Sequence, residues 1–324
     1  MGHAIRFHRT GGPEVLVWEE VEVGEPGPGE ARVRHRAVGL NYVDTYIRSG
    51  LYPASVPSGL GTEAAGTVEA VGPGVTDVKV GDRVAYSGGP LGAYADERVM
   101  PADRLVVVPD GISDEQAAAI MLKGMTVQYL IRQIYRVGPD DTILFHAAVG
   151  GVGSIACQWA KSLGARVIGT VGSDAKAALA RERGCDYPVV YTRENFVDRV
   201  REITGGAMLP VVYDSIGKDT FVSSLDCLKP RGLMVSFGQS SGAIGPVDLS
   251  ILAQKGSLFL TRPTLRNYAD QRSELVAMAQ DLFDVVLSGA VRIEINQTYP
   301  LRDAIRAHQD LHARKTTGST VLTV

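Results

Sequence analysis

The residues whose types and spacing most clearly predict chemistry are the glycines of the segment AVGGVG, residues 148–153. Glycines let a backbone approach a phosphate closely, and the first turn of a helix adds unpaired N–H groups and a positive dipole end. The segment stands between an apolar run, TILFHA, and a helical pattern, GSIACQWAKSLG. Gly150 and Gly153 take the second and third glycine positions of a dinucleotide-binding motif, and Ala148 stands at the first. The cluster therefore predicts a loop that binds the pyrophosphate of a dinucleotide.

The end of the next apolar run, RVIGTV, predicts which dinucleotide is bound. NAD-binding chains usually place an Asp or Glu about 20 residues after the loop, where it accepts from the ribose 2′-hydroxyl. Here residues 170–172 contain no acid, and Asp174 is interpreted as a cap or first-turn acid of the following helix. Ser173 can donate to a phosphate, and Lys176 adds a positive charge. The pattern predicts a preference for NADPH; the alternative is that Ser173 and Lys176 are a solvated helix start.

Elements around the loop alternate between short apolar runs and helical stretches of about ten residues, an order typical of βαβ units and a parallel sheet. A doubly wound dinucleotide-binding domain is therefore expected over residues 126–261. The six strand candidates are TILFHA, RVIGTV, YPVVY, PVVYDS, LMVSFG and SLFLT.

Residues 1–125 have a different pattern, with short strand-like segments separated by turn signals, such as the Gly-Pro-Gly between TVEAV and VKVGDRVAYS. A short helix, NYVDTYIRSG, is expected to end at Gly50. Ser113 followed by Gln116 is a capping-box signature for another helix. We expect a small, mostly antiparallel β domain that the tail, residues 262–324, rejoins with a long helix, a strand, a helix and a last strand.

The composition excludes several classes of protein. The 324 residues carry a net charge of −3, which provides no overall basic surface for nucleic acid. No window approaches 18 consecutive apolar residues, so no membrane span is expected. Three widely spaced cysteines predict neither a disulfide framework nor a metal clamp. A cytoplasmic protein with a reducing environment is expected.

At this point the chain resembles a known family. The β-rich front, the nucleotide domain and the returning tail are similar to the medium-chain dehydrogenase/reductase superfamily. The front part is GroES-like in that family, and the nucleotide part is a Rossmann domain. Several stretches resemble its quinone oxidoreductase branch, related to zeta-crystallin. They run along essentially the whole chain: GGPEVL, GLNYVDTYIRSGLYP, GLGTEAAGTVEAVGPGV, VGDRVAY, LKGMT, FHAAVGGVG, YDSIG and RGLMVSFG.

The resemblance also shows what is missing. Zinc-dependent members hold the catalytic metal with a cysteine and a histidine at the positions of Asn41 and Thr62, and neither residue binds zinc well. No cysteine precedes Cys157, so the structural zinc lobe is absent as well. Glu63 is interpreted as an internal hydrogen-bond or ion-pair partner. Without zinc, alcohol oxidation loses its main catalyst, whereas a quinone or activated alkene can accept hydride directly because its own carbonyl delocalises the charge.

The resemblance and this chemistry together imply residue roles. Tyr46, Tyr52 and Asn41 are the catalytic candidates at the nicotinamide and quinone, where a phenol or amide could polarise a carbonyl. The alternative for both tyrosines is an apolar pocket wall. Arg314 is expected to reach the cofactor, with an ordinary surface role as its alternative. The remaining residues are expected to contact the cofactor: Tyr42, Thr126, Tyr129, Gly150, Gly151, Val152, Gly153, Gly172, Ser173, Lys176, Tyr191, Ser215, Phe237, Gly238, Gln239, Ser240, Pro263, Thr264 and Leu265.

Three functions remain to be distinguished. The first is a zinc-free, NADPH-dependent quinone reductase, for which the family implies a homodimer through the nucleotide domain. The second is an NADPH-dependent reductase of enones or 2-alkenals, which differs in pocket shape. The third is a non-enzymatic RNA-binding or lens structural role, to which relatives have been recruited. The acidic balance argues against nucleic acid, and the intact glycine loop argues for cofactor binding.

Overall fold

The computed structural model describes residues 1–324, which divide into two compact units. The first consists of Met1–Met125, Ala269–Leu287 and Ile293–Val324, and the second of Thr126–Tyr268 and Ser288–Arg292. The chain thus leaves the second unit at residue 269 rather than at the expected residue 262, because the segment after the sixth parallel strand still packs with that unit.

The first unit begins with β strands and two helices. They are β1 (Gly2–Phe7), β2 (Leu16–Val21), β3 (Glu30–Leu40), α1 (Tyr42–Ser49), β4 (Ser58–Gly59), β5 (Glu63–Val71), β6 (Arg83–Ser87), β7 (Glu97–Pro101), β8 (Val106–Val107) and α2 (Asp114–Gln128). Gly50 ends α1 at a φ of 84°, a left-handed conformation that glycine adopts at little cost. The predicted capping box of α2 is confirmed, since Ser113 and Gln116 exchange backbone-to-side-chain hydrogen bonds of 3.0 and 3.2 Å.

The second unit alternates strands and helices as predicted. Its elements are β9 (Thr142–Phe145), α3 (Gly151–Ser162), β10 (Arg166–Val171), α4 (Asp174–Glu182), β11 (Tyr187–Val190), α5 (Phe196–Ile203), β12 (Leu209–Asp214), α6 (Phe221–Leu225), β13 (Leu228–Ser236), α7 (Ser250–Gln254), β14 (Phe259–Thr261) and α8 (Leu265–Tyr268). The six strands are parallel, in the order β11-β10-β9-β12-β13-β14. Because that order reverses between β9 and β12, loops at the carboxyl ends of these strands form a ligand crevice.

The tail adds α9 (Arg272–Leu287), β15 (Ile295–Pro300), α10 (Ala304–His312) and β16 (Ser319–Thr323) to the first unit. β16 pairs antiparallel with β3, which also pairs antiparallel with β5 and β7. β15 and β16 are parallel to each other, so the sheet is mostly rather than wholly antiparallel. The predicted fold class is confirmed: a mostly antiparallel β unit accompanies a doubly wound parallel-sheet unit.

Each unit has its own apolar core. The first core surrounds fully buried side chains such as Phe7, Tyr86 and Leu105, and the second surrounds Leu144, Ile168 and Val212 on adjacent parallel strands. These strand residues alternate with neighbours that face the other side of the sheet, which helices cover. None of the helices combines the length and hydropathy that crossing a bilayer requires.

Candidate active site

The glycine loop between β9 and α3 is held by its own backbone. Ala147 has a φ of 54°, and its carbonyl accepts from the N–H of Gly150 at 2.9 Å. A Cβ built on Gly153 would lie 2.2 Å from that same carbonyl oxygen, a distance that no side chain tolerates. Glycine is therefore required at position 153 so that the helix start can pack onto the loop.

The start of α3 presents the donors that a pyrophosphate needs. Gly150 is the N-cap, and its N–H is already used within the loop. The N–H groups of Gly151, Val152 and Gly153 have no carbonyl four residues earlier within the helix. Three outward donors, a positive dipole end and a close-packed glycine backbone fit a dinucleotide pyrophosphate.

The end of β10 is the expected place for a ribose 2′-phosphate. Ser173 is the N-cap of α4, and its Oγ accepts from the N–H of Lys176 at 3.3 Å, which leaves the hydroxyl hydrogen able to donate. The hydroxyl of Tyr191 lies over Gly172, where a Cβ would come within 3.0 Å of it. The structure thus brings Ser173 and Lys176 together, and it places Gly172 and Tyr191, two further expected cofactor contacts, against each other in the same unit.

A second cation at this place was missed by the sequence analysis. Arg193, three residues beyond the end of the third parallel strand, forms an ion pair of 2.6 Å with Asp174 in the first turn of α4. Both side chains are mostly exposed, so the pair itself adds little stability. It nevertheless turns a guanidinium toward the helix start that carries Ser173. An exposed arginine in a loop gives no signal of its own, since the strand pairing that places it is long-range.

The loops after β12 and β13 are fastened to each other. Ser215 O accepts from the N–H of Ser240 at 3.1 Å, and a Cβ on Gly238 would lie 2.6 Å from the same oxygen. Phe237 donates its N–H to Asp214 O at 2.9 Å and packs its ring 5.6 Å from that of Phe145. The predicted cofactor residues Ser215 and 237–240, including Gln239, therefore form one continuous surface.

The segment after β14 is attached to that surface by a residue that was not predicted. Arg262 donates to the carbonyl oxygens of Ser236 and Gly238 at 3.1 and 2.8 Å. It thereby places Pro263, Thr264 and Leu265 beside the β13 loop. The predicted Thr126 and Tyr129 belong to the same unit, where the Tyr129 ring stacks on Tyr268 at 4.6 Å.

In the first unit, three tyrosines of the predicted site form a cluster on and after α1. The Tyr46 ring lies 6.3 Å from that of Tyr42 and 5.3 Å from that of Tyr52. The Tyr42 hydroxyl donates to Leu311 O at 3.4 Å, and Arg314 lies close enough to favour the phenolate of Tyr42, although burial raises the pKa of Tyr42 overall. The structure therefore brings Tyr42, Tyr46, Tyr52 and Arg314 together.

Asn41 is engaged in a buried polar network. Its Nδ2 donates to Glu63 Oε2 at 2.7 Å, and Lys123 Nζ lies 3.2 Å from the same oxygen. The other oxygen, Oε1, accepts from the N–H of Leu122 at 2.6 Å. Glu63 is completely buried and Lys123 nearly so. The interpretation of Glu63 as an internal ion-pair partner is confirmed, whereas its partner Lys123, 60 residues away, was not predicted.

A second buried network centres on Asp44 of α1. Asp44 accepts from the N–H of Asn41 at 2.9 Å and from the Tyr94 hydroxyl at 3.0 Å, and that hydroxyl also lies 3.1 Å from His308 Nε2. Loss of hydration raises the pKa of Asp44 to about 7 and lowers that of His308 to about 3. Burial thus favours the neutral form of both groups, so this network fixes α1 mainly through hydrogen bonds.

The residues at the positions of the zinc ligands do not fit a metal. Asn41 is hydrogen-bonded to Glu63, and Thr62 offers a single hydroxyl. No three His, Cys, Asp or Glu side chains of the chain meet in an arrangement that could hold an ion. Cys157, Cys185 and Cys227 are all buried free thiols of the second unit.

A GroES-like β unit and a doubly wound nucleotide unit with a glycine loop define a medium-chain dehydrogenase/reductase. The family model described as alcohol dehydrogenase GroES-like domain matches residues 27–110, and the one described as zinc-binding dehydrogenase matches residues 151–281. The chain belongs to the quinone oxidoreductase branch of that superfamily. It is 59% identical to a quinone oxidoreductase of Pseudomonas aeruginosa over 99% of both chains.

Two further comparisons bear on the cofactor and the substrate. A crystal structure of Escherichia coli quinone oxidoreductase complexed with NADPH superposes with a TM-score of 0.98 at 53% identity, covering 99% of this chain and 100% of that one. A 2-haloacrylate reductase of a Burkholderia species is 49% identical over 98% of this chain and 97% of its own.

Proposed function

We propose that the chain is an NADPH-dependent quinone reductase that works without a metal. The observation that supports the proposal is that a glycine loop leads directly into the first turn of α3, while Asn41 and Thr62 stand where the resemblance implies zinc ligands. When bound, the nicotinamide supplies a hydride. With no Lewis acid to activate an alcohol, the suitable partner is an acceptor whose own carbonyls spread the incoming charge.

Within this proposal, each part of the chain has a role. The N–H groups of 151–153 bind the pyrophosphate, and Gly172, Ser173, Lys176, Tyr191 and Arg193 surround the 2′-phosphate. The loops 215 and 237–240, with 263–265, hold the nicotinamide riboside. Asn41 anchors the start of α1 through Glu63. The hydroxyls of Tyr46 and Tyr52 hydrogen-bond to an acceptor carbonyl.

The functional test is a comparison of substrates with NADPH as the reductant. We expect 1,4-naphthoquinone to be reduced with a kcat/KM well above that for a 2-alkenal. The second candidate function, reduction of an activated alkene, is favoured by the similarity to 2-haloacrylate reductase, so 2-chloroacrylate belongs in the same assay. Turnover of the alkenes alone would replace the quinone assignment by that of an enone-type reductase.

Lys176→Ala tests the 2′-phosphate subsite. Because a charge-assisted bond to a phosphate is lost, the Kd for NADPH should rise about 10- to 100-fold, while that for NADH changes less than about 3-fold. Both constants are measured by quenching of protein fluorescence. Lys229→Ala, an exposed lysine of β13, is the matched control. If Lys176→Ala raises the Kd for NADPH and the Kd for NADH equally, Lys176 does not bind the 2′-phosphate.

Tyr46→Phe and Tyr52→Phe test the catalytic tyrosines. If a phenol polarises the acceptor carbonyl, the variant that lacks it should lose about 10-fold or more in kcat/KM for the quinone. The Kd for NADPH should not change. Tyr299→Phe, whose hydroxyl binds Asp310 on the tail, is the control. If neither variant loses activity, the two rings serve as pocket walls.

We further propose a homodimer formed through β14. This strand is the edge of the parallel sheet, and Phe259 and Leu260 on it are 61% and 37% exposed. An exposed apolar edge is a template for pairing with a second strand, and a two-fold axis would place a second β14 there.

The free, buried cysteines fit a reducing compartment and hence a cytoplasmic location, which cell fractionation would test.

Phe259→Glu tests the dimer, since a carboxylate on each side of the two-fold would repel its copy. Sedimentation velocity should show a dimer for the wild-type chain and a monomer for the variant. Val107→Glu, which changes another exposed apolar side chain, on β8 of the first unit, should remain dimeric. A wild-type chain that sediments as a monomer at micromolar concentration contradicts the proposal.

A further inference from the structure

A chain of buried hydrogen bonds runs beneath the loops of the cofactor surface. His146, directly after β9, contacts Thr170 Oγ1 through Nδ1 and Ser224 Oγ through Nε2, both at 2.9 Å. Ser224 Oγ donates to Asp214 Oδ2 at 3.0 Å. All four side chains are at most 3% exposed, so no solvent competes with these bonds. The chain links the ends of three neighbouring parallel strands to α6.

The chemistry of the partners fixes the direction of each bond. The carboxylate of Asp214 accepts, so the Ser224 hydroxyl must donate to it and can accept from His146 Nε2–H. His146 is then the tautomer that accepts at Nδ1, and the Thr170 hydroxyl donates to it. Thr170 Oγ1 in turn accepts from the backbone N–H of Ala147 at 3.3 Å. In each of these hydrogen bonds the donor therefore lies nearer the glycine loop and the acceptor nearer Asp214.

The upstream end of this chain holds a strained residue. Ala147 is one of five non-glycine residues with a positive φ, and a left-handed alanine is disfavoured by its Cβ. Its N–H is bound by Thr170, while its carbonyl accepts from Gly150 N–H at 2.9 Å. The conformation of Ala147 determines where the loop turns toward α3, so its anchoring sets the direction of the pyrophosphate donors.

The downstream end organises a second cofactor loop. Asp214 also accepts from the N–H groups of Ile216 and Gly217 at 2.7 and 3.1 Å and from the Thr220 hydroxyl at 2.7 Å. These bonds shape the segment that follows Ser215. One carboxylate thus supports the β12 loop directly and the β9 loop through three side chains.

We infer that the hydrogen-bonded series Thr170–His146–Ser224–Asp214 positions the loops that bind the cofactor. At its centre, neutral His146 accepts through Nδ1 and donates through Nε2. None of the four side chains needs to touch the cofactor; they hold the two loops that do. Burial lowers the pKa of His146, which keeps the imidazole neutral and Nδ1 able to accept. The inference rests on the proposed NADPH binding and adds buried residues that hold the two cofactor-binding loops in place.

Thr170→Val tests the inference because valine keeps the shape and the strand preference but removes the hydroxyl. The Kd for NADPH and the Kd for NADH should both rise about 10-fold, since the loop rather than the 2′-phosphate is affected. This equal rise differs from the effect of Lys176→Ala. Thr170→Ser, which restores the hydroxyl, should return both constants to within about 3-fold of the wild-type values. Titrations well below the melting temperature keep a stability loss from entering the result.

Ser224→Ala supplies an independent test at the other end of the chain. It should raise the Kd for NADPH and the Kd for NADH. The double variant Thr170→Val/Ser224→Ala should raise each Kd by less than the product of the two single fold-changes, because both substitutions interrupt the same series of hydrogen bonds. Wild-type protein that binds no NADPH would overturn the proposed function. If the wild-type protein binds NADPH, two results would overturn this inference alone. One is a Thr170→Val variant that binds NADPH as well as the wild type, and the other is a Thr170→Ser variant that binds it as poorly as Thr170→Val.

Discussion

Gly153→Ala is expected to raise the Kd for NADPH by at least about 100-fold. The added Cβ would lie 2.2 Å from the carbonyl oxygen of Ala147 and 2.9 Å from two carbonyl carbons of the loop. These atoms are backbone and cannot rotate away, so the first turn of α3 must move by roughly an ångström. A displacement of that size misplaces every donor for the pyrophosphate, and such misplacements cost about 10²-fold.

The measurement is a fluorescence titration with NADPH, together with circular dichroism to show that the helices are retained. Gly138→Ala is the matched control, because it lies in the same unit just before β9 and its nearest neighbour would be 4.0 Å from the Cβ. We expect it to bind NADPH like the wild-type chain. Wild-type affinity in the Gly153→Ala variant would show that the loop does not hold the cofactor.

Glu63→Leu is expected to lower the free energy of unfolding of the first unit by about 3–5 kcal/mol, because it leaves the Lys123 ammonium buried without its carboxylate. The same change removes the acceptor of Asn41 Nδ2 and of the Leu122 N–H. Such a loss corresponds to a fall in melting temperature of roughly 6–20 °C. Differential scanning calorimetry measures it directly.

The double variant Glu63→Leu/Lys123→Met is the informative companion. It removes the unpaired charge together with its partner, so it should recover at least about 1 kcal/mol relative to Glu63→Leu. Asn41 and Leu122 still lack an acceptor, so recovery should be partial. If the double variant is less stable than Glu63→Leu, the cost does not come from the buried ammonium, and the ion pair is not what holds this part of the unit.

The Glu63–Lys123 pair also bears on Asn41 and Thr62, which stand where the resemblance implies zinc ligands. A hydrogen bond of 2.7 Å joins Asn41, the N-cap of α1, to Glu63 at the start of β5, and Lys123 of α2 pairs with the same carboxylate. The ammonium of Lys123 is buried and already paired. We therefore expect it to contribute to stability rather than to activate an alcohol.

Local patterns were sufficient for the nucleotide unit. The glycine loop, the alternation of apolar runs and helices, and the strand RVIGTV are short-range features, and β10 occupies the predicted residues 166–171. Parallel strands covered on both faces are continuous apolar runs, which makes them easy to recognise. The strands of the antiparallel unit were harder to predict. VKVGDRVAYS was expected to be one strand, but only its residues Arg83–Ser87 form a strand that pairs with its neighbours.

Contacts between distant positions could not be predicted in the same way. Lys123 and Arg193 look like ordinary charged residues, and His146 like an ordinary strand histidine. The partners that give them a role lie far along the chain, such as Ser224, 78 residues after His146. No periodicity or motif encodes such a pairing, because it depends on which strands become neighbours and on how their ends align.

The sequence by itself therefore determined the class of fold, the glycine loop before α3 and the residue types at positions 41 and 62, since each depends on residue types at fixed local spacing. The tertiary structure decided which residue pairs with Glu63 and what supports the glycine loop. Glu63 meets Lys123 because α2 packs on β5, and His146 joins Thr170 to Ser224 because β9, β10 and β12 are adjacent in the sheet. Burial then gives both groups their effect, because a charge or an imidazole removed from water must find its partner within the protein.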